Sequence, residues 1–281
     1  MECPLKKLSK DSKLYKVCMA RNLGWSANEE KNLQKRIRYN EMAISFFNYI
    51  PAYIYLGSWY SVYGFIKTLT ENDDHGYKAL AESTFERTQV EIKNQRKINH
   101  NLFFEWGRHY YRWGEYDSAL QMFQRQIEDI QKYHNWKKYP DNSKNIFAAK
   151  ISIVNCKCKS NRFNVAEIEE EYNNLKAENA KHPHIYHALG VLYMKQNTKE
   201  NNEKALGYFS KAIKLNKNMY FSYWHKAKIY LIMGKNEDAK KCFDMAMESV
   251  STSPNEIGQI KIKIWGEENN ILNIKDSFSH F

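Results

Sequence analysis

One spacing recurs in this 281-residue chain and limits its fold more than any other feature. An aromatic residue is followed, three positions on, by a large residue with a small one beside it. A tyrosine, once with Lys as the large residue, closes the pattern three positions later. It occurs as Tyr53, Leu56, Gly57 and Tyr60; as Phe103, Trp106, Gly107 and Tyr110; as Tyr186, Leu189, Gly190 and Tyr193; and as Tyr223, Lys226, Ala227 and Tyr230. Steps of three and four place each set on one side of a helix. Each set is followed by an alanine and, four residues on, a phenylalanine: Ala81 and Phe85, Ala119 and Phe123, Ala205 and Phe209, Ala239 and Phe243. That second spacing also fits a helix. Gly or Ala on one helix and Ala on the next let two backbones approach, and the aromatics fill the gaps between successive hairpins. One hairpin cannot bury its own apolar face, so several must stack.

The first copy lies in residues 42–66, a run of 25 without a charge. By length this is a candidate membrane span. Its content argues otherwise. It holds Asn48, Pro51, Gly57, Gly64, three serines and five tyrosines. Tyr53 and Tyr55 would sit near the bilayer centre, where each hydroxyl wants a partner. Pro51 divides the run and suits the first turn of a new helix. The reading is therefore a helix over 29–49, a break at Ile50 and Pro51, and a second helix over 51–69. No membrane span is expected.

The repeated pattern resembles the tetratricopeptide repeat, whose signature is an aromatic, Leu-Gly, Tyr, then Ala and Phe, then Pro. Residues 101–133 match best, and 183–215 with 220–247 nearly as well. Pro183 and Pro254 stand close to the repeat boundaries, where the family places proline. The resemblance implies an all-α fold, a right-handed α-solenoid of stacked antiparallel helical hairpins. The expected organisation is N-terminal helices over 1–49, an array over 50–249, and a C-terminal capping helix over 254–281. The array divides at about 50–99, 100–134, 140–180, 183–219 and 220–253. The middle hairpin, around Phe147, Ile151, Val154, Ile168, Tyr172 and Leu175, is degenerate. The first hairpin has longer helices or an inserted loop at 71–75. The turn at 197–202 carries three extra residues. Ser26 and Glu29 offer a capping box for the second N-terminal helix. Ile257, Ile260, Ile264 and Trp265 form the apolar stripe of the cap.

Catalytic motifs are absent from the sequence. No phosphate loop, dinucleotide fingerprint or His-Glu-x-x-His occurs. His182, His184 and His187 do not share a helical face, so no metal site is expected. Glu105, Arg108 and His109 read as a surface ion pair rather than an acid–base site. The five cysteines, Cys3, Cys18, Cys156, Cys158 and Cys242, are odd in number and scattered, which suits a reducing compartment. No secretory signal opens the chain, so a cytoplasmic, non-enzymatic protein without cofactor is expected.

Binding remains. The resemblance implies that first helices line a concave groove at positions one step after the signature. These are Ile54, Ser58 and Ser61; Phe104, Arg108, Tyr111 and Arg112; His187, Val191, Met194 and Lys195; and Phe221, Trp224, Lys228 and Leu231. The Lys and Asn pair by which some family members hold a chaperone's C-terminal carboxylate is missing here. Two partners fit a basic and aromatic groove. One is a protein or peptide segment gripped by aromatic anchors. The other is single-stranded nucleic acid, stacked and held by its phosphates. The charge of +11 suits either, although the basic residues are spread evenly. A third reading makes the chain the sensor module of a larger signalling protein.

Overall fold

The computed structural model describes residues 9–94, 101–132, 136–138, 140–160, 163–251 and 255–271. Cys3, Pro254 and the end of the 101–133 repeat fall outside them. Among the described residues there are thirteen α-helices, one 3-10 turn (Trp136–Lys138) and no strand. They fall into two compact units, Met1–Ile153 and Val154–Phe281. Among the described residues, no helix is long and apolar enough to cross a membrane.

The first unit pairs α1 (Lys13–Glu29) with α2 (Leu33–Phe46), α3 (Ile50–Glu71) with α4 (Tyr77–Asn94), and α5 (Leu102–Arg112) with α6 (Tyr116–Gln131). Helix α7 (Pro140–Ser160) begins in the first unit and ends in the second. The second unit adds α8 (Val165–Glu178), the pair α9 (Pro183–Met194) and α10 (Lys199–Leu215), the pair α11 (Tyr220–Ile232) and α12 (Asn236–Ser251), and α13 (Glu256–Glu268).

The small signature residue is what brings each hairpin together. A Cβ on Gly57 would stand 2.8 Å from Phe85, one on Gly107 2.7 Å from Phe123, and one on Gly190 2.6 Å from Phe209. Hydrogen alone fits there. The three rings are almost wholly buried, as are Ala81, Ala119 and Ala205. Each ring contributes about 2–3 kcal/mol by leaving water. In the fourth pair Ala227 takes the glycine's place, with Ala239 and Phe243 buried against it. Tyr53, Leu56, Trp106, Leu189 and Tyr223 are buried too. The closing tyrosines use their hydroxyls at the edge of the packing. Tyr60 donates to Glu41 on the preceding helix at 2.6 Å, and Tyr193 likewise to Glu169. Tyr110 stacks on Trp106. Tyr186 donates to the Ala180 carbonyl at 2.9 Å, and Tyr230 packs against the Phe243 cluster.

Several expectations need correction. The helix expected over 29–49 is α2, shorter at both ends: it runs Leu33–Phe46, after α1 has ended at Glu29. Ser26 and Glu29 lie in the last turn of α1 and cap nothing downstream. Asn32 caps α2 instead, its side chain accepting from the Lys35 amide at 3.0 Å. The three extra residues placed at 197–202 do not lengthen the turn. Asn197, at φ 48°, occupies the left-handed turn position that Gly114 and Gly234 hold elsewhere, and the extra residues start α10 a turn early. In the first hairpin most of the excess extends α3 to 22 residues, and the loop over 72–76 takes little. Within α13 Ile262 is the fully buried isoleucine, while Ile257, Ile260, Ile264 and Trp265 of the expected stripe are half-buried. Gly258 and Gly266 flank it one turn away on each side; a Cβ on Gly266 would be 2.5 Å from Phe243. Two glycines thus let α13 close down on the last hairpin.

Candidate functional site

In the first unit, α3 and α5 place their serines and cations together because Ser58, Ser61, Glu105, Arg108 and Arg112 recur at helical intervals on facing sides. Ser58 donates to one Glu105 oxygen at 2.7 Å, and Arg108 donates to the other at 3.0 Å. Arg112 donates to Ser61 Oγ, whose own hydrogen faces His109 Nδ1 at 2.9 Å. On the far side of the ring, Nε2 meets Glu82 at 3.3 Å. Burial, helped by the Arg112 charge, lowers the His109 pKa to about 3, so the imidazole is neutral. The directions then follow. Nε2–H donates to Glu82, Nδ1 accepts from Ser61, and Ser61 accepts from Arg112. Burial also lowers Arg112, to about 10. His109 is thus a fully buried member of a closed chain of hydrogen bonds. It does not belong to the surface pair Glu105 and Arg108 with which the sequence reading grouped it. Phe104 leans on Phe123 of its own hairpin, and Tyr111 on Tyr116. Ile54 is buried with Phe85 and Leu102 and faces no groove.

The second unit is built differently. His187 Nδ1 lies 2.9 Å from Ser222 Oγ, and the His187 ring is 5.4 Å from His225. Burial holds both imidazoles neutral, His187 at about 3. Phe221 packs between Tyr220 and Trp224. Met194 and Val191 pack on the Phe209 cluster and Leu231 on the Phe243 cluster, so these three serve the core. Trp224 is closely packed by its neighbours. His225 stacks on it at 5.3 Å and 22°, and the Lys228 ammonium lies 3.8 Å over the ring. That ammonium is also 5.6 Å from the ring of Trp265 on α13. Burial first, then the charges of Lys159 and Lys261, depress Lys228 to about 8; Glu268 acts in the other direction. Lys195 donates to the Cys158 carbonyl at 2.6 Å. Burial and the neighbouring Lys195 lower Lys159 as well.

Of the fifteen positions expected to line a groove, the structure brings Ser58, Ser61, Arg108 and Arg112 together in the first unit, and Lys195, Phe221, Trp224 and Lys228 into one neighbourhood with His187 in the second. Lys159, Lys261, Ser222 and Glu82 were not anticipated. The rule of one step after the signature has no anchor on degenerate α7 or on α13, and Ser222 sits one step before the aromatic it counts from. No group of three metal-ligating side chains gathers among the described residues.

Residues 222–249 match the family model described as Tetratricopeptide repeat. A curated relative, an uncharacterised protein of Methanocaldococcus jannaschii, is 39% identical over 66 residues, 24% of this chain and 73% of that protein. A tetratricopeptide repeat protein from Parabacteroides merdae has a similar solved structure, with TM-score 0.64 at 17% identity over 91% of this chain and 87% of that one. The apo form of the quorum sensor NprR from B. thuringiensis gives 0.59 at 12% identity, over 94% of this chain and 73% of that one. The Rap conjugation gene regulator of the plasmid pLS20, in complex with the Phr* peptide, gives 0.59 at 12% identity, over 91% and 80%. At such identities the likeness is one of fold. The class is that of all-α helical-repeat proteins. Within it, this chain is of the tetratricopeptide-repeat type.

Proposed function

We propose that the chain is a non-enzymatic interaction module that holds a segment of another protein against its first helices. One observation carries this. The signature residues are consumed by packing, while on the first-helix side Arg108 remains exposed near half-buried Tyr111 and Arg112 in the first unit, and Lys195 remains exposed in the second, which also holds half-buried Phe221 and Lys228. Fixed cations beside aromatics, on rigid helices, recognise a peptide without chemistry of their own. The pLS20 regulator, of like fold, is seen with a peptide, which supports a sensing role within the same reading.

The net charge of +11 favours single-stranded nucleic acid as a second reading. Base stacking needs an open aromatic face. Trp224 already has His225 stacked on it and the Lys228 ammonium over its ring, so the strongest stacking candidate is occupied. The protein reading is therefore preferred.

The test is affinity capture from native lysate with the intact chain and with Arg108→Ala/Lys228→Ala, the eluate being divided between mass spectrometry and nucleic-acid staining. A protein retained by the intact chain at 0.3 M salt and lost in the variant is expected. Nucleic acid lost in the variant, with steep salt dependence, would replace this reading with the second.

A further inference from the structure

The second unit carries a feature that the general interaction reading does not explain. We infer that Lys159, Lys195, Lys228 and Lys261, one from each of the α7, α9, α11 and α13 segments, form a receptor for side-chain carboxylates in an acidic segment of a partner protein. This rests on the interaction reading above and names the chemistry of its ligand.

The lysines act on one another. Lys228 is depressed by Lys159 and Lys261, and Lys159 by Lys195. Their effect reaches the buried rings beneath, since Lys159 acts on both His187 and His225. Gathered like charges oppose folding, and a surface that keeps them together is poised for an anion. Lys228 is held by the faces of Trp224 and Trp265, at 3.8 and 5.6 Å. A ring face orients an ammonium without neutralising it, so its N–H groups stay available to an acceptor. Among the groups that act on Lys228, Glu268 is the acidic one.

The kind of anion follows from what surrounds the cluster. Lys159 is in the last turn of α7, and Lys195 follows α9 and binds the Cys158 carbonyl. These are the negative ends of two helices. They oppose a doubly charged phosphate more than a singly charged carboxylate. A singly charged carboxylate needs only the ammonium groups. Several lysines on separate helices suit several carboxylates on one flexible segment. A nucleic-acid strand would have to displace His225 or Lys228 from Trp224 to stack there.

The test uses an acetylated, C-terminally amidated peptide of alternating Glu and Gly, fluorescein-labelled, with fluorescence anisotropy on the full chain at pH 7. The amide removes the terminal carboxylate, so binding reports side chains. The intact chain is expected to bind. Lys159→Gln/Lys228→Gln is expected to weaken binding at least tenfold, and Lys214→Gln/Lys217→Gln, of equal charge change on exposed α10 and loop positions, less than twofold. Circular dichroism should show the first variant melting no lower than the parent, because repulsion has been removed. A second readout is proton uptake, measured by calorimetry at pH 8.5 in two buffers. Lys228, facing Lys159 from α7, His225 on its own helix, and Lys261 and Glu268 from α13, should take up a proton as the anion arrives, and Lys228→Gln should abolish this uptake. No peptide binding, binding equal in both double variants, or stronger binding of a phosphoserine peptide or oligothymidylate would each overturn the inference. If lysate capture of a protein persists in Lys159→Gln/Lys228→Gln, the interaction module stands and this assignment alone fails.

Discussion

The two units hold buried charge in different ways. In the first, Arg112, Ser61, His109 and Glu82 form a chain of hydrogen bonds, and Glu105 is divided between Ser58 and Arg108. In the second, Lys228 is set over two indoles and pressed by other lysines. Burial and neighbouring cations lower Arg112 and Lys228 alike, but Arg112 is bonded to Ser61 whereas Lys228 is set on ring faces. Similar helices therefore answer the same penalty with a hydrogen-bonded network in one unit and with aromatic faces in the other.

The largest test of this contrast concerns independence. Gly107→Val and Gly190→Val drive a side chain into Phe123 or Phe209 and should each cost about 3 kcal/mol or more. Followed by hydrogen exchange, Gly107→Val should loosen α5 and α6, and Gly190→Val should loosen α9 and α10. If either variant loosens both units alike, they cannot be compared as separate bodies.

Next is the sign of Lys228. Its pKa falls from 10.5 to about 8 on folding. The ammonium therefore opposes folding fully below pH 8, and the penalty fades as pH rises toward 10.5. Discounted for the water that reaches this half-buried group, it amounts to about 2 kcal/mol. Lys228→Met should stabilise the chain at pH 7 by up to that amount. The gap between variant and parent in urea melts should close by pH 10.5. A destabilised variant would mean that Lys228 is already compensated.

His109→Leu should do the reverse, costing about 2 kcal/mol at pH 7, because the Ser61 hydroxyl loses its acceptor and Glu82 its donor. Acid acts on the same group. With its pKa lowered from 6.5 to about 3, His109 remains neutral in the fold and protonates once unfolded. Stability should fall as pH drops from 6.5 toward 3, and less steeply in the variant. The smallest effect separates nothing and so serves as control. Tyr60→Phe and Tyr193→Phe each remove one hydroxyl bonded to a glutamate, and should cost about 1 kcal/mol in either unit.

The hairpins were legible because their cause is local. A glycine opposite a phenylalanine leaves a fixed spacing in the chain, and Gly57, Gly107 and Gly190 advertise it. The capping helix was less legible. Gly258, Ile262 and Gly266 show a four-residue rhythm, but the more numerous isoleucines beside them outweighed it. Asn197 hid a turn because asparagine also tolerates the left-handed region. The candidate site was harder. Lys195 and Lys228 follow from the repeat register, whereas Lys159 and Lys261 stand on helices without a register to count from. Trp224 was expected to be an open anchor. Which of its faces are open depends on His225 and Lys228, one and four residues away, and on the distant Trp265, which spacing does not reveal.

The placement of Trp224 also gives the molecule an optical property. An indole with an ammonium 3.8 Å over its ring and a neutral imidazole stacked on it sits in a strong, directional electric field. Indole emission shifts with the field across the ring. Any event that draws the Lys228 charge aside or removes its proton changes the colour of that one fluorophore, so the chain carries its own reporter, and Trp224→Phe identifies its share of the spectrum.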